Sequence, residues 1–262
     1  MSDADLLPVI HRDDWLIAVH KPAGLLVHRS DLDRHETRFA VQMLRDQIGR
    51  HVWPVHRLDR GTSGVLLFAL DREMAAALSS QFESGQARKR YLAVVRGFPD
   101  AEGVVDHPLA PLADDHAGIA RGGAAQPAFT RYRRLATVEL PYRVDRYPAS
   151  RYALLALDPL TGRRHQLRRH MKHIAHPIIG DATHGKGPHN RLFQRLFGCG
   201  RMLLASVALR IRHPHSGDLL DLRAPPAPDF ADVIRRLGWE RQAGRAWEAE
   251  TETKRETGPA ND

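Results

Sequence analysis

The sequence has one cysteine, Cys199, in 262 residues, which excludes an internal disulfide and a cysteine-rich zinc site and fits a reducing compartment. Apolar runs are short, and none approaches the roughly 18 residues of a membrane span. The N-terminus, MSDADLLPVIHRDDW, has early acids and neither a basic start nor an extended apolar stretch, so it does not read as a secretion signal. Together these absences point to a cytoplasmic protein with no membrane partner. Neither G-x-G-x-x-G nor a P-loop occurs, which weighs against a nucleotide, and no cofactor is expected. Acids are also scarce beside bases, 31 against 39.

That imbalance leaves a formal charge of +8 on a chain that is 42% hydrophobic and 27% charged, the profile of a globular protein with a polyanionic partner. A general arginine bias in the source proteome would give the same total, so clustering has to decide. Acids outnumber bases from Glu240 onward, so the positive charge belongs to the part before it. Residues 1–240 read as one domain, and 241–262 as a polar tail with too few apolar groups to pack, expected to be disordered apart from a docked Trp247.

Within the domain, WLIAVH (15–20) reads as a strand, Lys21-Pro22-Ala23-Gly24 as a turn and LLVH as a second strand. Val41, Leu44 and Ile48 mark an amphipathic helix, with Thr37 as a possible cap and Gly49 as a stop. SGVLLFAL is a nearly continuous apolar run, expected to be a strand buried on both faces. Asp71 can cap a helix whose stripe is Met74, Leu78 and Phe82. KRYLAVVRG is a basic strand, and residues 99–127 are a long Ala/Gly/Asp/Pro tract of the kind that is usually functional or mobile. AFTRYRRLATV and RYALLALDP read as strands, and TGRRHQLRRHMKHIA as a helix. After the loop DATHGKGPHN, RMLLASVALRIRHP and GDLLDLRAP form a strand pair, and PDFADVIRRLGW closes the domain as a helix. Strands that neighbour each other in sequence, separated by single helices, predict a mixed, mostly antiparallel α+β fold with flanking helices.

Chemistry concentrates at two places. In PVHRLDRGTSGVLLFAL (54–70), Asp59 lies between Arg57 and Arg60 at the mouth of a buried strand, where adjacent positive charge favours the carboxylate. Such a group can act as a nucleophile toward an electron-poor carbon; the competing reading is an Asp that only opens the turn Asp-Arg-Gly-Thr-Ser-Gly. LTGRRHQLRRHMKH places Arg163, Arg164, Arg168, Arg169 and Lys172 together with no acid. Repulsion there is relieved if one face lies on phosphates while another arginine reaches a buried carboxylate. A solvated basic face is the alternative. His165, His170, His173 and His176 invite a metal reading, but the neighbouring cations and the missing carboxylates oppose it, and no metal is expected. Tyr91, in ARKRYLAVV, is either a base-stacking residue or an ordinary sheet residue.

HRLDRGTSG resembles the signature of the RluA-type pseudouridine synthases, which isomerise uridine to pseudouridine in RNA. VHKPAGLLVH (19–28) resembles the first motif of that family, KRYLAVVRG its tyrosine-bearing strand and LTGRRHQLRRHMKHIAHPIIGD its third motif. RMLLASVALRIRHPHSG resembles the late strand pair. These stretches cover roughly residues 9–240 in family order.

The resemblance implies a pseudouridine synthase catalytic domain with a central basic RNA-binding cleft. It assigns Asp59 as the catalytic aspartate, Tyr91 as the active-site aromatic and Arg168, of HQLR, as the arginine paired with the aspartate. Arg57 corresponds to the arginine that fills the gap left by the extruded base. Lys21, Arg163, Arg164, Arg169 and Lys172 are the expected RNA contacts, and Leu204 walls the pocket where the family often reads LHA. Within the family the likeness is strongest to bacterial members that modify uridine 65 of tRNA, with ribosomal RNA members as the nearer alternative and a non-catalytic RNA-binding protein as the more distant one. A monomer acting on tRNA is expected.

Overall fold

The computed structural model describes residues 6–29, 36–112 and 123–248. Among them, ten strands join one sheet and six helices pack on it. In chain order these are β1 (Val9–Arg12), β2 (Leu16–Lys21), α1 (Ala40–Ile48), β3 (Trp53–Pro54), β4 (Ser63–Ala69), α2 (Arg72–Glu83), β5 (Arg88–Arg96) and β6 (Glu102–Asp106). They continue as β7 (Phe129–Leu140), β8 (Ser150–Pro159), α3 (Gln166–His173), α4 (Gly187–Phe197), β9 (Leu204–Arg212), β10 (Leu219–Arg223), α5 (Pro228–Arg236) and α6 (Glu240–Glu248).

The sheet order is β1-β2-β4-β9-β5-β8-β7-β6, with β10 on β9 and β3 on β4. All pairs are antiparallel except β4 with β9, the α+β arrangement that the run of neighbouring strands predicts. Every residue of β4 is buried. Its Leu66 and Phe68 enter one core cluster, and Val65, Leu67 and Ala69 another. Period-two alternation of side chains divides β5 in the same way, with Tyr91, Ala93 and Val95 in the first cluster and Leu92 and Val94 in a third. A core on both faces fixes the register of these strands, because a slip of one residue would exchange the faces.

Local signals set the element ends. Asp71 Oδ1 accepts the Met74 amide at 2.7 Å, as its capping position predicts. Gly49 stops α1 in the left-handed region at φ 64°, although the cap at the start of α1 is Phe39 and not Thr37. Other expectations are corrected. LLVH is no strand, since only Leu26 bridges to Phe39. The 99–127 tract contains β6, while 113–122 fall outside the described residues. DATHGKGPHN is a loop only in its first part: helix α4 starts inside it at Gly187, with Pro188 in its first turn, and is anchored by Leu192 and Phe193. The tail expected to be disordered from 241 begins as α6, because Ala243 and Ala246 are small enough to be buried beside Trp239. Trp247's docking and residues 249–262 lie outside the described side chains.

Candidate active site

Asp59 follows the buried Leu58 and opens a hydrogen-bonded turn, in which the Thr62 amide donates to the Asp59 carbonyl at 3.0 Å. The turn delivers the chain into β4, whose Ser63 and Gly64 lie beside Ala205 and Ser206 of β9. Gly64 has φ 111°, and a Cβ there would stand 2.0 Å from the Ser206 carbonyl oxygen, so glycine alone allows this approach. The first-motif turn clamps the same loop: Gly24 N donates to the Arg60 carbonyl at 2.8 Å, and Arg60 Nε to the Gly24 carbonyl at 3.1 Å.

Lys21 completes the clamp, which corrects its expected role as an RNA contact. Its side chain is fully buried, and Nζ donates to the carbonyls of Leu25 (2.7 Å), Pro22 (2.9 Å) and Arg60 (3.3 Å), out of reach of a phosphate. Burial, aided by the nearby Arg201 charge and opposed by Asp59, pushes the amine down to about 7. The sequence neighbour Arg60 does not face Asp59; its guanidinium pairs with Glu36 at 2.6 Å.

The partner that reaches Asp59 is Arg168, 109 residues away, with Nη1 3.0 Å from Oδ2. Arg168 is itself held by Asp181, which takes Nε at 2.7 Å and Nη2 at 2.8 Å. This two-bond fork leaves Nη1 free to point at Asp59. Burial raises the Asp181 pKa, but hydrogen bonds from Arg168 and the His184 and Thr183 amides outweigh it, and the group ends below the usual carboxylate value. Burial lowers the Arg168 pKa, and the two carboxylates more than reverse this.

Tyr91 lies opposite Ser206 across the β5–β9 pair and hydrogen-bonds its side chain. Burial, partly offset by that bond, raises its hydroxyl well above the usual tyrosine value, so it remains a proton donor at neutral pH. Tyr91, Leu58, Leu167, Met202 and Leu204 share one apolar cluster, which puts the expected pocket-wall residue Leu204 on the same side as the tyrosine. His165 Nε2 stands 4.0 Å from Asp59 Oδ1, and burial holds the ring down to about 4, so it is neutral at pH 7.

A match to the family described as RNA pseudouridylate synthase spans residues 15–173 and so contains Asp59, Tyr91 and Arg168. The chain belongs to that family. With it comes the isomerase class.

Relatives named tRNA pseudouridine synthase C occur in Pectobacterium carotovorum (50% identical, covering 92% of this chain and 64% of that one) and Haemophilus ducreyi (49%, covering 89% and 96%). This chain thus spans just under two thirds of the Pectobacterium relative and nearly all of the Haemophilus one. Among solved structures, human RNA Pseudouridylate Synthase Domain Containing 4 superposes with a TM-score of 0.66 at 25% identity, covering 88% of this chain and 93% of that one. Human RNA Pseudouridylate Synthase Domain Containing 1 does so with 0.65 at 23%, covering 91% and 97%, a likeness of fold.

In this pseudouridylate synthase fold the basic segment divides. Arg163 and Arg164 precede α3, on a turn where Gln166 Oε1 accepts from the Arg163 amide and the Thr161 hydroxyl. Arg57, Arg163 and Lys172 are exposed, whereas Arg164 and Arg169 are half-buried and Arg169 donates to the Ala110 carbonyl at 2.9 Å. The histidines disperse as well. His170 bonds Thr130 and the His107 carbonyl, His173 stacks on His107, and His176 bonds the Arg96 carbonyl. Asp181 is the residue that sequence reasoning missed, and His165, weighed there only as a metal ligand, stands beside Asp59 instead. The one signal for Asp181 was an acid placed directly after the basic segment, in HPIIGD.

Proposed function

We propose that this chain is a tRNA pseudouridine synthase of the cytoplasm, acting as a monomer on uridine 65. The relatives named for tRNA support the substrate, and the likeness of the sequence to bacterial members that modify uridine 65 of tRNA supports the position. The observation that carries the catalytic reading is the Asp59–Arg168–Asp181 array at the mouth of β4.

In this reading Asp59 attacks C6 of the uracil or C1′ of the ribose, or first removes a sugar proton. Each route ends with the C1′–N1 bond broken, a C1′–C5 bond formed, one proton lost from C5 and one gained at N1, so no redox partner or cofactor is needed. Arg168 orients and stabilises the carboxylate. Tyr91 stacks on the flipped base and relays the C5 proton. Extruding the base costs a few kcal/mol of stacking and pairing. Arg57, filling the vacated space, offsets part of this, as do phosphate contacts from Arg163, Arg164, Arg169 and Lys172.

Tritium release from C5-labelled uridine in tRNA tests the activity, and mapping of pseudouridine in tRNA and ribosomal RNA from a deletion strain tests the position. Loss of a ribosomal RNA site with tRNA unchanged would reassign the substrate within the family. A protein that binds RNA without releasing tritium would be a non-catalytic binder.

A further inference from the structure

Away from Asp59, the C-terminal end of α2, the start of β5 and the end of β8 enclose a cleft of about 520 Å³, closed on one side by Ala246 of α6. Six cations line it: Arg88, Lys89, Arg90, Arg131, Arg210 and Arg223. Its two carboxylates are already engaged. Asp158 takes Arg90 through bonds of 2.8 and 2.9 Å, and Asp221 takes Arg210 at 2.9 Å and Arg223 at 2.7 Å.

Arg88, Lys89 and Arg131 are left with no carboxylate partner among the described residues. Lys89 is half-buried, with its ammonium 5.9 Å from the Phe82 ring centre, and burial lowers its pKa. An uncompensated, partly desolvated cation is costly in the free protein, and an anionic ligand removes that cost. Arginine forks match phosphate oxygens, and a concave wall with a surplus of positive charge concentrates a polyanion.

The cleft also adjoins the turn that carries part of the proposed RNA track. The lining residue Leu160 leads into the turn that presents Arg163 and Arg164. A Cβ on Gly162, in that turn, would lie 3.7 Å from Lys89 Nζ. Lys89 and this turn therefore lie side by side, within reach of one run of phosphates.

We propose that this cleft is a second phosphate-binding site for the RNA substrate, gripping its backbone away from the target uridine. This rests on the reading of the chain as an RNA-modifying enzyme. The test is filter binding of full-length tRNA between about 50 and 200 mM salt, with the variant Arg88→Gln/Lys89→Gln/Arg131→Gln beside the unmodified protein. Three lost phosphate contacts should reduce the slope of log affinity against log salt by about 2 to 3, at about 0.9 per contact. Turnover at saturating tRNA should be unchanged.

Arg131→Gln alone should reduce the slope by about 0.9, which keeps the test open if the triple variant folds poorly, and Lys89→Arg should retain the full slope. An unchanged slope in the variants would overturn the proposal. So would saturable binding of tripolyphosphate to the cleft that does not compete with tRNA, since that marks a small-anion site. Tritium release by the unmodified protein is scored separately: its absence rejects the enzymatic reading, while a slope difference still supports the cleft as an RNA contact.

Discussion

Arg168 and Asp181 form a two-bond fork, Nε to Oδ2 at 2.7 Å and Nη2 to Oδ1 at 2.8 Å, around a carboxylate with no exposed surface. Because both of those donors are committed, Nη1 is the group that meets Asp59. In the proposed mechanism Asp181 is thus a positioning residue, one step removed from the reacting atoms.

Asp59→Asn is expected to abolish pseudouridine formation and to leave tRNA affinity within about twofold, because the amide keeps the shape but not the nucleophilic charge. Tritium release together with filter binding checks this, and undiminished turnover would remove Asp59 from the chemistry.

Asp181→Asn should lower kcat by roughly 100-fold with little change in KM, the effect of an approximately 1 Å misplacement of Arg168. Breaking a buried pair also costs about 3–5 kcal/mol of stability. Steady-state kinetics and urea unfolding on one preparation separate the two effects. A rise in KM alone would move Arg168 to the RNA-contact group.

Lys21→Met should lower stability by about 2–4 kcal/mol, since three carbonyls lose their donor. The salt slope of tRNA binding should not move, because the ammonium never reaches solvent. A slope lower by about 0.9 would restore Lys21 as a phosphate contact.

Acid should destabilise the fold through His56. Its ring stacks on Phe82 at 4.7 Å, Nε2 accepts the Leu67 amide at 3.0 Å, and burial holds its pKa down to about 3. Below the ordinary histidine value of 6.5 the unfolded chain takes a proton that the folded ring refuses until pH 3. Stability therefore falls as pH drops through that window, by up to about 1.4 kcal/mol per pH unit for this proton. His165, held to about 4, adds to the same trend. Urea midpoints from pH 7 to pH 4 should fall less steeply in His56→Gln.

Gly64→Ala should cost more than about 3 kcal/mol, because a strained φ and a backbone clash act together. The β4–β9 contact that it breaks lies between the Asp59 turn and the strand facing Tyr91, so activity should fall with stability. A variant with an unchanged unfolding midpoint would show that the strands can part without cost.

What the sequence by itself determined was whatever is written in short-range patterns. The apolar run of β4, the Asp71 cap and the Gly49 stop depend on residues within a few positions of one another, and chemistry at that range is legible in a string. The residue types of the site were legible too, because an acid beside a buried strand and a cluster of bases without acids are both unusual. Which charge meets which is not written in local patterns: the family resemblance paired Arg168 with Asp59, and the tertiary structure shows that pair and supplies the rest. Arg60, adjacent to Asp59, pairs with Glu36, while Arg168, distant in sequence, crosses to Asp59 under the guidance of Asp181. Lys21 looked like a phosphate contact and became a buried clamp, because burial depends on what the rest of the chain stacks over a side chain. Packing and ion pairing act through space, and the fold alone sets those distances.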